Sequence, residues 1–181
     1  MPELLMVVAI GLILTGIALP NMLTVIANAR IRGNIGTLSG IFQNCRMIAV
    51  QTNRTTTTHF SSSSTGITAY VKSATDTSGP LSSDPQVDLE APIVESTTPT
   101  GTGAPAGVTV TTLGFTAQTG DVSFNSRGLP CSYSSGTCTN NGFIYYFNDT
   151  RRSGNTGWAA VSISPAGRVK KWFWNGTTWA E

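Results

Sequence analysis

The amino-terminal part of this chain begins with a run of apolar residues that no charge interrupts. Residues 4–19 read LLMVVAIGLILTGIAL, and Thr15 supplies their single polar side chain. As an α-helix the run would be roughly 24 Å long, just short of the hydrocarbon core of a bilayer, and continuation past Pro20 to Ile26 brings it into range. A helix that is apolar on every side must be covered by lipid or by other helices.

The apolar pattern continues past Pro20 as a stripe with helical spacing. From residue 23 to residue 49 apolar side chains recur every three or four positions, and Arg, Asn and Gln lie between them. This stripe predicts that one face of the second half packs on a globular domain. Because Gly weakens a helix and Pro20 removes a backbone donor, we expect the helix to be kinked or partly melted near Gly11–Pro20.

A secretory signal peptide is the alternative interpretation of the amino terminus. An acid, Glu3, occupies the place where a signal peptide carries basic residues, and no small-x-small cleavage site precedes a change in character. Both features favour one long helix over residues 1–54, apolar all round in 1–22 and amphipathic in 23–54.

The remaining residues, 55–181, have the pattern of a β-rich globular domain. The Ser/Thr-rich segment 51–66 is predicted to end the helix, and the Pro- and Gly-rich segment 73–107 is predicted to be a long loop. Alternating or short apolar segments predict strands at 67–72, 108–113, 122–124, 143–147, 158–164 and 168–174.

The carboxyl-terminal residues carry two turn signals. Pro165-Ala166-Gly167 separates the last two long strands. Asn175-Gly176 is the preferred pair for a two-residue type I′ hairpin, and that register places Trp172 opposite Trp179. We therefore expect the final residues to be ordered.

Cysteines Cys131 and Cys138 flank a short Ser- and Gly-rich loop that a disulfide could close. Such a bridge contributes about 2–3 kcal/mol to stability and implies an oxidising, extracytoplasmic location. Two free thiols are the alternative. Cys45 lies on the apolar stripe of the helix and is predicted to be a buried small hydrophobic residue.

Composition and motifs argue against an enzyme. The net charge is +2, only 11% of residues are charged, and no CxxC, HExxH, GxSxG or Gly-rich phosphate loop is present. His59, the single histidine, is predicted to be a surface residue without a partner, and Asp84, Asp88 and Glu90 are predicted to form a solvated acidic loop. We predict no catalytic residue, no metal and no cofactor.

Glycosylation is a candidate modification of this Thr-rich chain. Asn-x-Thr sequons occur at Asn53, Asn148 and Asn175, and the Ser/Thr tracts offer sites for O-linked sugar. The O-linked candidates in the first tract are Thr55, Thr56, Ser62 and Ser63.

The amino terminus resembles that of type IV pilins. Glu-Leu-Leu (Glu3, Leu4, Leu5) introduces the apolar helix, Ala-Leu-Pro-Asn follows it, and Glu3 and Pro20 are separated as the glutamate and proline are in that family. The resemblance implies that Glu3 pairs with the amino terminus of a neighbouring subunit and sets the assembly register. It also implies that the stretch containing Gly11, Gly16 and Pro20 loosens inside a filament.

Two later segments extend the resemblance to minor pilins of the GspH/FimT type. They are FNSRGLP at residues 124–130 and VSISPAGRV at residues 161–169. The implied fold class is α+β, with a long N-terminal α-helix packed on a C-terminal antiparallel β-sheet domain, the pilin fold. In some FimT-like pilins a Gly-Arg-x-Arg segment at this place binds DNA for uptake, which makes Arg168, Lys170 and Lys171 candidate DNA-binding residues here.

These features together predict a structural subunit of a type IV pilus-like extracellular filament. The expected partners are identical subunits in a helical filament, the inner membrane before assembly, and the pilus assembly machinery. The alternatives are a DNA-binding FimT-like minor pilin and a pseudopilin of a type II secretion system.

Overall fold

The computed structural model describes residues 2–64, 66–90, 93–96, 99, 115–150 and 157–181. Within the amino-terminal helix, side chains are described at residues 6–16, 22 and 25–52. The strand predicted at 108–113 lies outside the described residues.

Helix α1 spans Pro2–Thr52. The helix was predicted to be kinked or partly melted near Gly11–Pro20, and the melting is wrong, because the backbone of these residues is helical. Asn53 ends the helix in the left-handed conformation, with φ of 51°. Its N–H donates to the Val50 carbonyl at 3.4 Å and the Arg54 N–H to the Ala49 carbonyl at 3.2 Å, which satisfies two of the free carbonyls at the helix end.

Twelve strands follow α1 in the described part of the chain. They are β1 (Thr56–Ser63), β2 (Gly66–Ser73), β3 (Gln86–Glu90), β4 (Ile93–Ser96), β5 (Phe115–Ala117), β6 (Val122–Phe124), β7 (Pro130–Ser134), β8 (Thr137–Asn140), β9 (Gly142–Asp149), β10 (Trp158–Ile163), β11 (Val169–Trp174) and β12 (Trp179–Ala180).

The strands form two sheets. The first has the order β3-β2-β1-β6-β7-β8, and the second has the order β12-β11-β10-β9-β4, with β5 also pairing with β9. All strand pairs are antiparallel except β5 with β9, which is parallel.

The predicted fold class, α+β with a long N-terminal α-helix packed on a C-terminal antiparallel β-sheet domain, is wrong. The chain is mostly β, its strands divide between two sheets, and α1 contacts strands of both. The side chains at 6–16 form a separate exposed stretch, whereas 25–52 packs on the sheets. The division into two sheets was missed because it depends on pairings of strands far apart in sequence, such as β1 with β6 in the first sheet and β4 with β9 in the second.

The main hydrophobic core lies where the second half of α1 meets both sheets. The buried hydrophobic residues of α1 are Ile41 and the predicted stripe from residue 31 onward: Ile31, Ile35, Leu38, Phe42, Cys45 and Ala49. Of the first two stripe residues, Ala27 is only partly buried and the side chain of Leu23 lies outside those described. Phe42 is fully buried, with its ring 5.7 Å from that of Tyr145 and 6.2 Å from that of Phe60. Alternation along β9 sends Phe143, Tyr145 and Phe147 into this core.

A second aromatic cluster covers the opposite face of the second sheet. It contains four even-numbered residues of β9 and β10, Ile144, Tyr146, Trp158 and Ala160, together with Phe115 and Trp172. Strands β9 and β10 are therefore buried on both faces, as central strands of a layered protein are.

Two segments predicted to be irregular contain strands. Thr56–Ser63 is β1, and it lies between β2 and β6 inside the first sheet. β-Branched threonines suit a strand, and the hydroxyls of Thr57 and Ser123 bond across it at 2.8 Å. The predicted loop 73–107 contains β3 and β4.

The predicted register of the last hairpin is wrong. Trp174, not Trp172, lies opposite Trp179, and the two rings are 5.5 Å apart. The loop is longer than two residues because the Asn175 side-chain oxygen accepts hydrogen bonds from the N–H groups of Thr177 and Thr178. This Asx turn competes with the type I′ hairpin that Asn-Gly favours.

Candidate functional site

The described first half of α1 exposes its apolar side chains. Seven large hydrophobic residues between Met6 and Leu14 are 50–70% exposed: Met6, Val7, Val8, Ile10, Leu12, Ile13 and Leu14. All described side chains from 6 to 16 are exposed, so none of them is covered by the sheets. A continuous apolar surface of this kind marks a site of interaction.

The predicted assembly residues fall in and around this stretch. Gly11 and Gly16 face open space, since a Cβ added at either would meet nothing within 4 Å. The Gly11 carbonyl accepts a hydrogen bond from the Thr15 hydroxyl at 2.7 Å. The side chains of Glu3, Leu4, Leu5 and Pro20 lie outside those that the structure describes. Among the described residues, no helix has the length and hydropathy needed to cross a membrane.

Two similar turns, one from each sheet, meet beside the second half of α1. In the first turn, after β6, the Gly128 N–H donates to the Asn125 carbonyl at 2.8 Å. In the second, between β10 and β11, the Gly167 N–H donates to the Ser164 carbonyl at 2.7 Å. Both glycines have positive φ, 74° and 80°, which residues with a Cβ rarely adopt.

Arg46 of α1 holds these turns together. Its Nη1 atom donates to the Gly167 carbonyl at 3.0 Å. The two turns and Arg46 are in close contact. A Cβ added to Gly167 would lie 2.8 Å from the Gly128 carbonyl oxygen, and a Cβ added to Gly128 would lie 3.0 Å from Arg46 Nε. The two segments on which the GspH/FimT resemblance rests therefore contact each other and the helix.

A cavity of about 570 Å³ opens next to this junction, and we call it the turn groove. Its walls are one face of α1 and the β10–β11 turn: Gln43, Arg46, Met47, Val50, Gln51, Ala166, Gly167, Arg168 and Val169. Among the described residues, no acidic side chain lines it.

The candidate DNA-binding residues do not form one surface. Lys170 and Lys171 are successive residues of β11, so their side chains leave opposite faces of the sheet. Lys170 Nζ lies 2.8 Å from Glu181 Oε2 and 5.2 Å from the centre of the Trp172 ring. Only Arg168 of the three lines the turn groove.

The cysteines divide into a bonded pair and a buried thiol. Cys131 and Cys138 form a disulfide across the β7–β8 hairpin. Cys45 is fully buried in the main core. Burial raises the pKa of its thiol to about 12.

The glycosylation candidates differ in accessibility. Thr56 is buried, whereas Ser62 and Ser63 are exposed and Thr55 is partly buried. Asn148 lies inside β9 between β10 and β4. Asn53 and Asn175 are exposed, one at the helix end and the other in the last hairpin.

The prediction that His59 is an unpartnered surface residue is wrong. His59 is 9% exposed, its Nδ1 lies 2.7 Å from Asp121 Oδ2, and its ring stacks on Tyr70. Asp121 also lies near Glu95, whose pKa is raised by burial and, to a smaller extent, by the Asp121 charge. No alternation in β1 marked His59 as buried, because Thr56–His59 are buried in succession, and Asp121 is distant in sequence.

The predicted acidic loop also has a partner that sequence analysis missed. Lys72 is buried and bonds to Ser78, and its Nζ lies 3.5 Å from carboxylate oxygens of both Asp76 and Asp84. Asp88 accepts a hydrogen bond from Thr68 at 2.7 Å. Within the described residues, no group of three or more His, Cys, Asp and Glu side chains could hold a metal ion.

Comparison of the chain with family models, curated proteins and solved structures gives no match.

Proposed function

We propose that this chain is a structural subunit, a pilin, of a type IV pilus-like extracellular filament that polymerises through the first half of α1. The observation that carries the proposal is the exposed apolar surface of residues 6–16. The sequence resemblance at Glu3–Leu5 and Pro20 agrees with it. The inner membrane as the location before assembly, and the pilus assembly machinery as a partner, belong to the same proposal and rest on that resemblance.

The extent of this surface favours several neighbours for each helix. Covering an exposed Leu, Ile or Val fully contributes about 1.5–3 kcal/mol, and less where the side chain is already partly covered. Association of two proteins costs about 4–15 kcal/mol in lost freedom. One pairwise contact covers only one face of the helix, about half of the seven exposed side chains between Met6 and Leu14, so its contribution of roughly 5–10 kcal/mol only balances this cost. Since they lie on all sides of the helix, a bundle covers more of them.

The alternative functions have weaker support. A DNA-binding minor pilin requires a continuous basic strip, whereas Lys170 is paired with Glu181 and Lys171 leaves the other face of β11. A secretion pseudopilin would use the same helix surface, so the geometry does not favour it over a pilus subunit.

Deletion of residues 4–19 tests the proposal. We expect the full chain to form filaments in electron micrographs and the deletion variant to sediment as a soluble monomer. The thermal midpoint of the variant should match that of the full chain once filaments are dissociated, because residues 6–16 are exposed in the subunit. Filaments of normal yield from the deletion variant would refute the proposal.

A further inference from the structure

A separate cavity of about 320 Å³ lies at the end of the second sheet, where β10 begins, β11 ends and the last hairpin meets α1. We call it the strand-end cavity. Three aromatic side chains supply apolar walls: Trp158, Phe173 and Trp174. Ligand pockets measure roughly 300–1,000 Å³, so a cavity near the lower limit suits one small ligand, and aromatic walls favour a ligand with an apolar face.

Arg32 of α1 brings a positive charge to this cavity. Its Cζ atom lies 4.9 Å from the centre of the Phe173 ring. A guanidinium held over a ring keeps the N–H donors at its edge free, and these bind an anionic group through two parallel hydrogen bonds. Among the described residues, none of the ion pairs includes Arg32. The cavity therefore favours a ligand that carries an anionic group.

Glu181 also lines the cavity, but its charge is balanced within the subunit. Its Oε2 atom accepts a hydrogen bond from Lys170 Nζ at 2.8 Å, and this bond lowers the pKa of the Glu181 carboxyl. Because a carboxylate has several acceptor positions, Glu181 can also accept a hydrogen bond from a ligand hydroxyl.

Asn175 adds an amide whose orientation is fixed. Its Oδ1 atom accepts hydrogen bonds from the N–H groups of Thr177 and Thr178 at 2.9 and 2.8 Å. Its Nδ2 atom donates to the Thr178 hydroxyl at 3.2 Å, and an amide nitrogen has a second N–H to donate. A sugar ring combines an apolar C–H face with hydroxyls around its edge, so it matches a cavity lined by aromatic rings, an amide and a carboxylate.

We propose that the strand-end cavity binds an acidic sugar, a single hexose unit whose anionic group pairs with Arg32 and whose ring packs on the aromatic walls. The inference goes beyond the proposed function, because the lining residues belong to one subunit and lie outside the exposed stretch 6–16. A filament of such subunits would carry one sugar site on each copy.

Calorimetric titration with three related sugars tests the proposal. The full-length chain is dissociated into subunits in a detergent without a sugar headgroup. Glucuronate and glucose-6-phosphate carry their anionic groups at the same carbon, and glucose is the neutral reference. We expect at least one anionic sugar to bind about tenfold or more tightly than glucose, and the tighter of the two identifies the anionic group. Tryptophan fluorescence should change on saturation, because Trp158 and Trp174 line the cavity.

Substitution of Arg32 supplies the second readout. Arg32→Gln should weaken binding of the anionic sugar about tenfold, and Arg32→Lys should weaken it less, because lysine keeps the charge but lacks the planar fork. Arg30→Gln is the matched control, since Arg30 is also an exposed arginine of α1 but lies outside the cavity. Both positions are exposed, so the thermal midpoint should be unchanged in every variant.

Three results would overturn the inference. They are equal affinity for glucose and both anionic sugars, equal losses from Arg32→Gln and Arg30→Gln, and binding of acetate or inorganic phosphate as tightly as the corresponding sugar. The last would show that Arg32 captures the anion without the sugar ring. All these measurements use dissociated subunits, so their outcome is independent of whether the unsubstituted chain forms filaments.

Discussion

The two halves of helix α1 are built from similar side chains and have opposite environments. In the first half Leu12 is 69% exposed, whereas in the second half Leu38 and Phe42 are fully buried. What differs is the arrangement of polar residues, which surround one stripe in the second half and are nearly absent from the first. A high content of apolar residues thus shows that a helix surface must be buried. The periodicity of these residues shows whether the subunit's own domain can bury one face or whether other molecules must bury all of them.

This difference separates stability from assembly along one helix. The second half lies in the main core with both sheets, so its apolar side chains stabilise the subunit. The first half is exposed in the subunit, so the same kind of side chain there contributes only when copies associate. Substitutions of matched chemistry should therefore have opposite effects in the two halves.

Truncation of one large apolar side chain in each half should show the largest contrast. Phe42→Ala leaves a cavity between the rings of Phe60 and Tyr145 and should lower the free energy of unfolding by about 3–5 kcal/mol. Leu12→Ala should change it by less than about 0.5 kcal/mol, as surface substitutions do. Urea denaturation of dissociated subunits measures both.

Assembly should respond in the reverse order. Leu12→Ala should raise the subunit concentration needed for filaments, whereas Phe42→Ala should leave it unchanged at temperatures where the variant is folded. Equal losses of stability from the two substitutions would contradict the division of α1 into two environments.

A substitution at the junction around Arg46 should have a smaller effect on stability. It tests how tightly the two turns pack on the second half of α1. Gly167→Ala places a Cβ 2.8 Å from the Gly128 carbonyl oxygen at a φ of 80°. Gly136→Ala has nearly the same φ, 83°, but meets nothing within 4 Å. Both should lose about 1–3 kcal/mol to backbone strain, and the additional loss at Gly167 measures the close contact of the two turns with α1.

Thermal unfolding of the two variants and of the unsubstituted chain separates these contributions. The midpoint should fall further for Gly167→Ala than for Gly136→Ala. Equal midpoints would show that the two turns can move apart without a loss of stability and that Arg46 does not hold them rigidly.

Local sequence patterns predicted much of the structure. The stripe at 31–49 is buried, the Pro165–Gly167 turn is present, and strands occur at the predicted alternating segments after residue 142. These features depend on residues close in the chain, where helical and strand periodicity decide which side chains share a face. The prediction that the helix melts near Gly11–Pro20 was wrong, because two glycines and a proline lower helix propensity without excluding a helix.

Long-range pairings could not be predicted in this way. The Thr-rich segment became the central strand β1 because it pairs with β2 and β6, and neither pairing is visible in its own composition. The pairing of β1 with β6 also brings His59 next to Asp121. For the candidate site, the exposed helix half followed from the sequence, whereas the turn groove required the contact of segments around Arg46 and Gly167.

The smallest expected effect is that of pH on the stability of the globular part, through Glu95 of β4. Burial raises the pKa of Glu95 above its ordinary value of 4.5 and so favours the protonated form in the folded state. Below pH 4.5 the Glu95 carboxyl is protonated in both states. As the pH rises from there through the folded-state pKa, the unfolded state loses this proton first, so the free energy of unfolding should fall across that interval. Glu95→Gln should flatten this fall, whereas Glu90→Gln, at an exposed position, should not.

At each pH, filament yield should be the same for the unsubstituted chain and for Glu95→Gln, because Glu95 lies in β4 and outside the exposed stretch 6–16. Urea denaturation at a series of pH values measures the stability, and sedimentation of filaments at the same values measures the assembly. A parallel change in both would mean that assembly depends on the globular part around Glu95 as well as on the helix, and the division between the two halves of α1 would then be incomplete.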